Sequence, residues 1–105
     1  MDRRAFLQAS AAAALMSRRA GMHASRFLGI VIAMYFRDHP PPHFHAIYGD
    51  YEAVVEIRTG AVTGRLPKRA LAHVQDWRVL HEAELLFAWD LAQARLPLLR
   101  IEPLE

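Results

Sequence analysis

The chain has 105 residues, of which 53% are hydrophobic and 23% charged, so it can hold one domain with one modest core and is too apolar to stay disordered. It contains no cysteine, which excludes disulfides, thiolate metal sites and cysteine nucleophiles. The formal charge of +2 belongs to the N-terminal segment: beyond residue 21, nine basic residues face ten acidic ones, so the domain's charge gives no support to a nucleic-acid partner, and no apolar run is long enough to span a bilayer.

Residues 1–21 read as an extension, and residues 22–105 as a single domain. Asp2-Arg3-Arg4-Ala5-Phe6-Leu7 resembles a twin-arginine export motif, and an alanine-rich run from Ala9 to Met16 follows it. Ser10 interrupts that run and Ser17-Arg18-Arg19 ends it. The extension is thus an export signal, a tail, or sequence ahead of a true start at Met22. The last of these predicts a cytoplasmic protein and the first an exported one.

Phe27 to Phe36 is apolar on both faces and rich in β-branched and aromatic residues, which predicts one central strand. Arg37-Asp38 ends it. Pro40, Pro41 and Pro42 then remove three backbone donors and force an extended path. His43 to Tyr48 is the next strand, with His43, His45 and Ile47 on one face and Phe44, Ala46 and Tyr48 on the other. Gly49-Asp50 is a two-residue hairpin signal. Tyr51 to Thr59 alternates, with Tyr51, Ala53, Val55 and Ile57 facing the core. Thr59-Gly60 turns the chain into a short strand from Ala61 to Leu66. Successive hairpins predict an antiparallel meander of three to four strands.

Pro67 suits the first turn of a helix. Lys68 to Arg95 lacks Gly and Pro and has helical spacing, whose phase drifts near His81 to Glu84. This predicts one bent helix or two helices, packed on the apolar sheet face in an α+β fold. Trp77 and Trp89 are core anchors. Pro97 ends the helical run, and Leu98 to Leu104 forms an extended tail or edge strand.

The segment that calls for a chemical explanation is Asp38-His39-Pro40-Pro41-Pro42-His43-Phe44-His45, which holds half of the six histidines. Three readings compete. In the first, His39, His43 and His45, with Asp38, hold a divalent metal such as zinc, iron or manganese, and His73 or His81 supplies a further ligand. In the second, His43, His45, Glu52 or Glu56 act as general acid and base of an RNA-cleaving site, with Arg37 or Arg58 stabilising charge. In the third, Pro41, Pro42, Phe44 and Tyr48 form a rigid surface for a protein partner, because a proline segment loses little entropy on binding. His23 and His73 stand alone and read as exposed and inert.

The strings Ser25-Arg26-Phe27-Leu28-Gly29-Ile30-Val31-Ile32, Asp38-His39, Pro41-Pro42-His43-Phe44-His45-Ala46, Tyr48-Gly49, Leu66-Pro67 and Ile101-Glu102-Pro103-Leu104 resemble the small bacterial family catalogued as domain of unknown function 4160. The resemblance covers nearly all of residues 22 to 104. It implies a short, intracellular protein beginning just before Ser25, and the 21-residue extension departs from that pattern. It supplies no catalytic mechanism. It does imply a two-gene module of regulatory or toxin–antitoxin type, and so favours an interaction module bound to a small protein encoded nearby. The alternative is a histidine-dependent metal hydrolase or RNA-cleaving toxin.

Overall fold

The apolar run from Phe27 to Phe36 is not one strand but two, divided by a tight turn at Leu28-Gly29. The computed structural model describes residues 21–104, so the export-like motif lies outside the described residues. Strand β1 spans Gly21–Phe27, β2 Ile30–Tyr35, β3 His43–Tyr48, β4 Tyr51–Glu56 and β5 Val62–Arg65. Helices α1 (Lys68–Leu80) and α2 (Glu82–Gln93) follow. All neighbouring strands are antiparallel, in the order β1-β2-β3-β4-β5. The fold is therefore the expected α+β meander, with five strands where three to four were predicted. The missed strand is β1. Leu28 and Gly29 both have positive φ, 51° and 78°, and Phe27 pairs with Ile30. That is the backbone of a two-residue hairpin whose twist matches the strands it joins. A leucine in that position hides the turn from composition.

The sheet has two faces of different chemistry. Ile30, Ile32, Met34, Phe44, Ala46, Ala53, Val55 and Ile57 enter one core with Val74, Trp77, Leu85 and Ala88 of the helices. Trp77 is fully buried, 5.2 Å from the Phe27 ring and edge-on to Phe44 at 5.9 Å. The opposite face carries a smaller apolar group, Ala33, Tyr35 and Ile47, beside His43 and His45.

The helical run does break where its phase drifts. His81, at φ −121° and ψ 26°, caps α1 and precedes α2. Helix α2 ends before Pro97 is reached. Arg95 takes φ 59°, and Leu96 N–H and Arg95 N–H donate to the carbonyls of Leu91 and Ala92, which is the closing pattern of a Schellman motif. The tail forms no regular strand. Ile101 N–H donates to Ala24 O at 2.8 Å, and the Trp77 indole donates to Glu102 O at 2.8 Å. These two bonds seal the open end of the core. No described helix is long and apolar enough to cross a membrane.

Two predictions follow from these contacts. Gly64 has φ 93°, and a Cβ there would lie 2.6 Å from the Glu52 carbonyl oxygen. Gly64→Ala is expected to destabilise the domain by roughly 1–3 kcal/mol in urea unfolding. His23 is half-buried, and burial, with Arg26 and Arg100 nearby, lowers its pKa from 6.5. The unfolded chain then binds this proton more readily, so His23 leaves stability untouched well above pH 6.5 and subtracts from it as pH falls from 6.5 to the lowered value, below which the loss grows no further. His23→Gln should lose less stability than the parent between pH 7.5 and pH 5, measured by thermal melts.

Candidate metal centre

The site begins with alternation along β3. Phe44 and Ala46 are fully buried in the main core, so His43, His45 and Ile47 must face the other side of the sheet. Cross-strand register sets His43 opposite Glu56, His45 opposite Val54 and Ile47 opposite Glu52. The proline segment then returns the loop over this face, with a cis peptide between Pro40 and Pro41. Ile57 N–H donates to Pro42 O at 3.0 Å, and Gln93 donates to Asp38 O at 2.8 Å, tying the loop to β4 and α2.

Each buried histidine has one ring nitrogen against an oxygen acceptor. His43 Nδ1 lies 2.8 Å from Pro41 O, and His45 Nδ1 lies 2.8 Å from Glu52 Oε2. A carbonyl or carboxylate oxygen only accepts, so both Nδ1 atoms carry hydrogen and donate. In the neutral rings, both Nε2 lone pairs then face Asp38. His43 Nε2 is 3.0 Å and His45 Nε2 3.6 Å from the same oxygen, Asp38 Oδ2. His45 Nε2 is buried and has no hydrogen-bond partner. Ser25 Oγ is the other such atom among the described residues, but it sits on the core side of β1, in register with Ile32.

One ligand atom from each of Asp38, His43 and His45 lies within 4.8 Å of the others. Bonds of about 2.1 Å at octahedral to tetrahedral angles separate ligand atoms by about 3.0–3.4 Å. The two spacings from Asp38 Oδ2, 3.0 Å to His43 and 3.6 Å to His45, lie close to that window. The Nδ1–H bonds to a carbonyl and a carboxylate are the contacts that orient metal-ligating histidines. Aromatic walls fix the rings further, with Trp89 4.9 Å from His43 and Tyr35 4.5 Å from His45.

Burial alone raises the pKa of Asp38. The bond from His43, the bond from the His39 amide and the charge of His43 outweigh it, with His45 adding least, and the carboxyl is held below 3.8. Asp38 is thus a carboxylate at neutral pH.

The other sequence candidates distribute differently. His39 also lines the cavity beside the cluster, but its ring is 89% exposed and reaches the other oxygen, Asp38 Oδ1, at 3.2 Å, so it does not join the three converging atoms. His81 pairs with Glu84, and His73, half-buried rather than exposed, lies beside Leu28 and Tyr48; neither joins the cluster. Glu52 orients His45 from the rim. Arg37 and Arg58 are exposed. Of the partner-surface candidates, Pro41 and Tyr48 are exposed and Pro42 half-buried, whereas Phe44 belongs to the core and offers no surface. Glu56 was one general acid–base option among several; it lines a cavity of about 270 Å³ with Asp38, His43, His45 and Thr63. Its place on the histidine face follows from the two-residue period of β4.

An α+β meander with two histidines and one aspartate converging under a proline loop defines a small domain with a candidate cation site. The chain belongs to the family described as Domain of unknown function (DUF4160), whose model matches residues 29–90. No curated protein and no solved structure matches it.

Asp38 links the loop to β3 through its contacts with His43 and His45 and also accepts the His39 amide within the loop. Asp38→Ala is expected to lower the stability of the metal-free protein by about 1–3 kcal/mol in chemical denaturation, because the His39 amide loses its acceptor and the buried His43 ring loses the group it packs against. His39→Ala, which alters only an exposed side chain, should change it by less than about 0.5 kcal/mol.

Proposed function

We propose that this domain binds a divalent transition metal through Asp38 Oδ2, His43 Nε2 and His45 Nε2. The observation that carries this reading is the buried, partnerless Nε2 of His45, aimed at a carboxylate oxygen that already faces a second imidazole. Three acceptor atoms gathered in a partly buried site repel one another unless a cation lies among them. A proton on His43 can relieve one pair. A metal ion satisfies all three. Two histidines and one carboxylate suit zinc, iron or manganese and leave coordination positions open for water or a ligand. The cavity beside the cluster provides room for either.

This reading is preferred to a metal-free RNA-cleaving site, because neither Arg37 nor Arg58 lines the cavity to meet phosphate charge. A partner module of the kind found in two-gene systems is a second reading, supported by the exposed Pro41 and Tyr48. The two are compatible, since the exposed prolines lie outside the ligand set. Cytoplasmic residence of the domain belongs to the same proposal.

Calorimetric titration of the chelator-treated chain, free of any histidine tag, tests the metal reading with Zn²⁺, Mn²⁺ and Fe²⁺ in turn. One equivalent of at least one ion is expected to bind, and His45→Ala and Asp38→Ala should weaken it at least tenfold. Glu52→Ala should weaken it about 10–100-fold by releasing the His45 ring. His81→Ala should leave it unchanged. At a hundredfold excess over Kd the ion should add about 2.7 kcal/mol of stability. Absence of stoichiometric binding for all three ions, or full binding by His45→Ala, would overturn the proposal.

A further inference from the structure

Glu56 is a carboxylate with a distinct place in the same cavity. It is the cross-strand partner of His43 and lines the cavity with all three proposed ligands, yet it is not one of them. Directly opposed residues on one sheet face hold their Cβ atoms about 5 Å apart. That spacing places a glutamate carboxylate within reach of a molecule bound beside His43, rather than on the ligand atom itself. The carboxylate is also held in position. Thr59 Oγ1–H donates to Glu56 Oε1 at 3.1 Å, and Thr59 Oγ1 in turn accepts the Ala61 N–H at 3.1 Å. One oxygen is anchored through a tight turn, which leaves the other to serve the cavity.

The charge of the cavity narrows what it can accept. Its lining includes Asp38 and Glu56 and contains neither lysine nor arginine. A divalent ion would bring the formal sum of ion and carboxylates to zero with neutral imidazoles. Phosphoryl transfer calls for cationic groups to hold the spread negative charge of its transition state, and the lining supplies no lysine or arginine for it. An uncharged ester or amide carbonyl has no such requirement. Its developing oxyanion can be met by the metal ion alone.

We infer that Glu56 is the general base of a hydrolytic centre for uncharged carbonyl substrates, an inference that rests on the metal site proposed above. With an ion held by Asp38, His43 and His45 to polarise a water molecule, Glu56 would take one proton from that water as its oxygen attacks the carbonyl carbon. The tetrahedral adduct then expels the alkoxide or amine, which takes the proton back from Glu56. Water is consumed, one C–O or C–N bond breaks, and no oxidant or reductant is involved. Glu52, whose Oε2 accepts the His45 Nδ1–H, is a positioning residue in this scheme. Glu52 would act through His45 and Glu56 through the water.

The test uses the full chain loaded with Zn²⁺ and two probes, 4-nitrophenyl acetate and 4-nitrophenyl phosphate. Zn²⁺ affinity is measured by calorimetry on the same samples. The parent is expected to hydrolyse the acetate faster than the zinc-free chain does and to leave the phosphate intact. Glu56→Gln, which retains an acceptor for Thr59, should bind Zn²⁺ within about twofold of the parent and lose roughly 100-fold or more in kcat. Glu52→Gln should lose Zn²⁺ affinity, with its rate restored at saturating ion. Zinc-dependent turnover that Glu56→Gln retains would overturn the role of Glu56, and so would loaded parent protein no faster than zinc-free protein. Hydrolysis of the phosphate in preference to the acetate would overturn the substrate class. A parent that binds no Zn²⁺, Mn²⁺ or Fe²⁺ would overturn the metal site and this inference together, which calorimetry reveals before any rate is measured.

Discussion

Phe44 enters the hydrophobic core from the strand that also carries His43 and His45. Side chains alternate across a strand, so burying Phe44 and Ala46 against Trp77 and the helices commits both imidazoles to the far face. A one-residue slip of β3 would put the histidines into the core and the phenylalanine outside. The apolar packing that stabilises the fold is thus also what gives the site its direction. The paired strands on either side then supply the surroundings: Glu52 and Glu56 from β4, Ala33 and Tyr35 from β2.

Asp38 completes the arrangement from outside the sheet. It is held by its own backbone carbonyl through Gln93 and by its carboxylate through His43 and the His39 amide. The three prolines shape the loop that carries it over the histidine face. A carboxylate kept ionised lies beside two imidazoles whose distal nitrogens are fixed by hydrogen bonding, so the three groups are already gathered and oriented. Asp38 and Glu56 give the cavity beside them an acidic lining.

Much of this was legible in the sequence, and the failures have physical causes. Alternation in Tyr51 to Ile57 and the drift of helical phase near His81 gave the sheet face and the helix break, since each reflects a periodicity that burial enforces. The hairpin at Leu28-Gly29 was not legible, because the apolar run continues through it and leucine rarely adopts positive φ. The histidine-rich segment marked the cluster, but its composition put His39 ahead of Asp38, which read only as a fourth ligand or an acceptor behind the histidines. Only the path of the loop decides between adjacent residues, and it turns the aspartate inward and the histidine out. Phe44 read as a partner-facing residue for the same reason: its neighbours are polar and loop-like, while its strand phase belongs to the core. Glu56 could be placed on the histidine face by the period of β4, but its opposition to His43 depends on the strand register, which follows from the hairpin at Gly49-Asp50.

The tail bonds have a consequence for how the molecule folds and frays. Each side-chain contact of the cluster joins residues close in the chain: Asp38 to His43 across five positions, His45 to Glu52 across seven. Closing such short loops costs little entropy and is fast. The core, by contrast, is sealed by Ile101 against Ala24, nearly the whole described chain apart. The cluster is a local structure and the core a global one. Fraying of the tail from β1 therefore loosens the packing around Trp77 while leaving every contact among Asp38, His43, His45 and Glu52 in place.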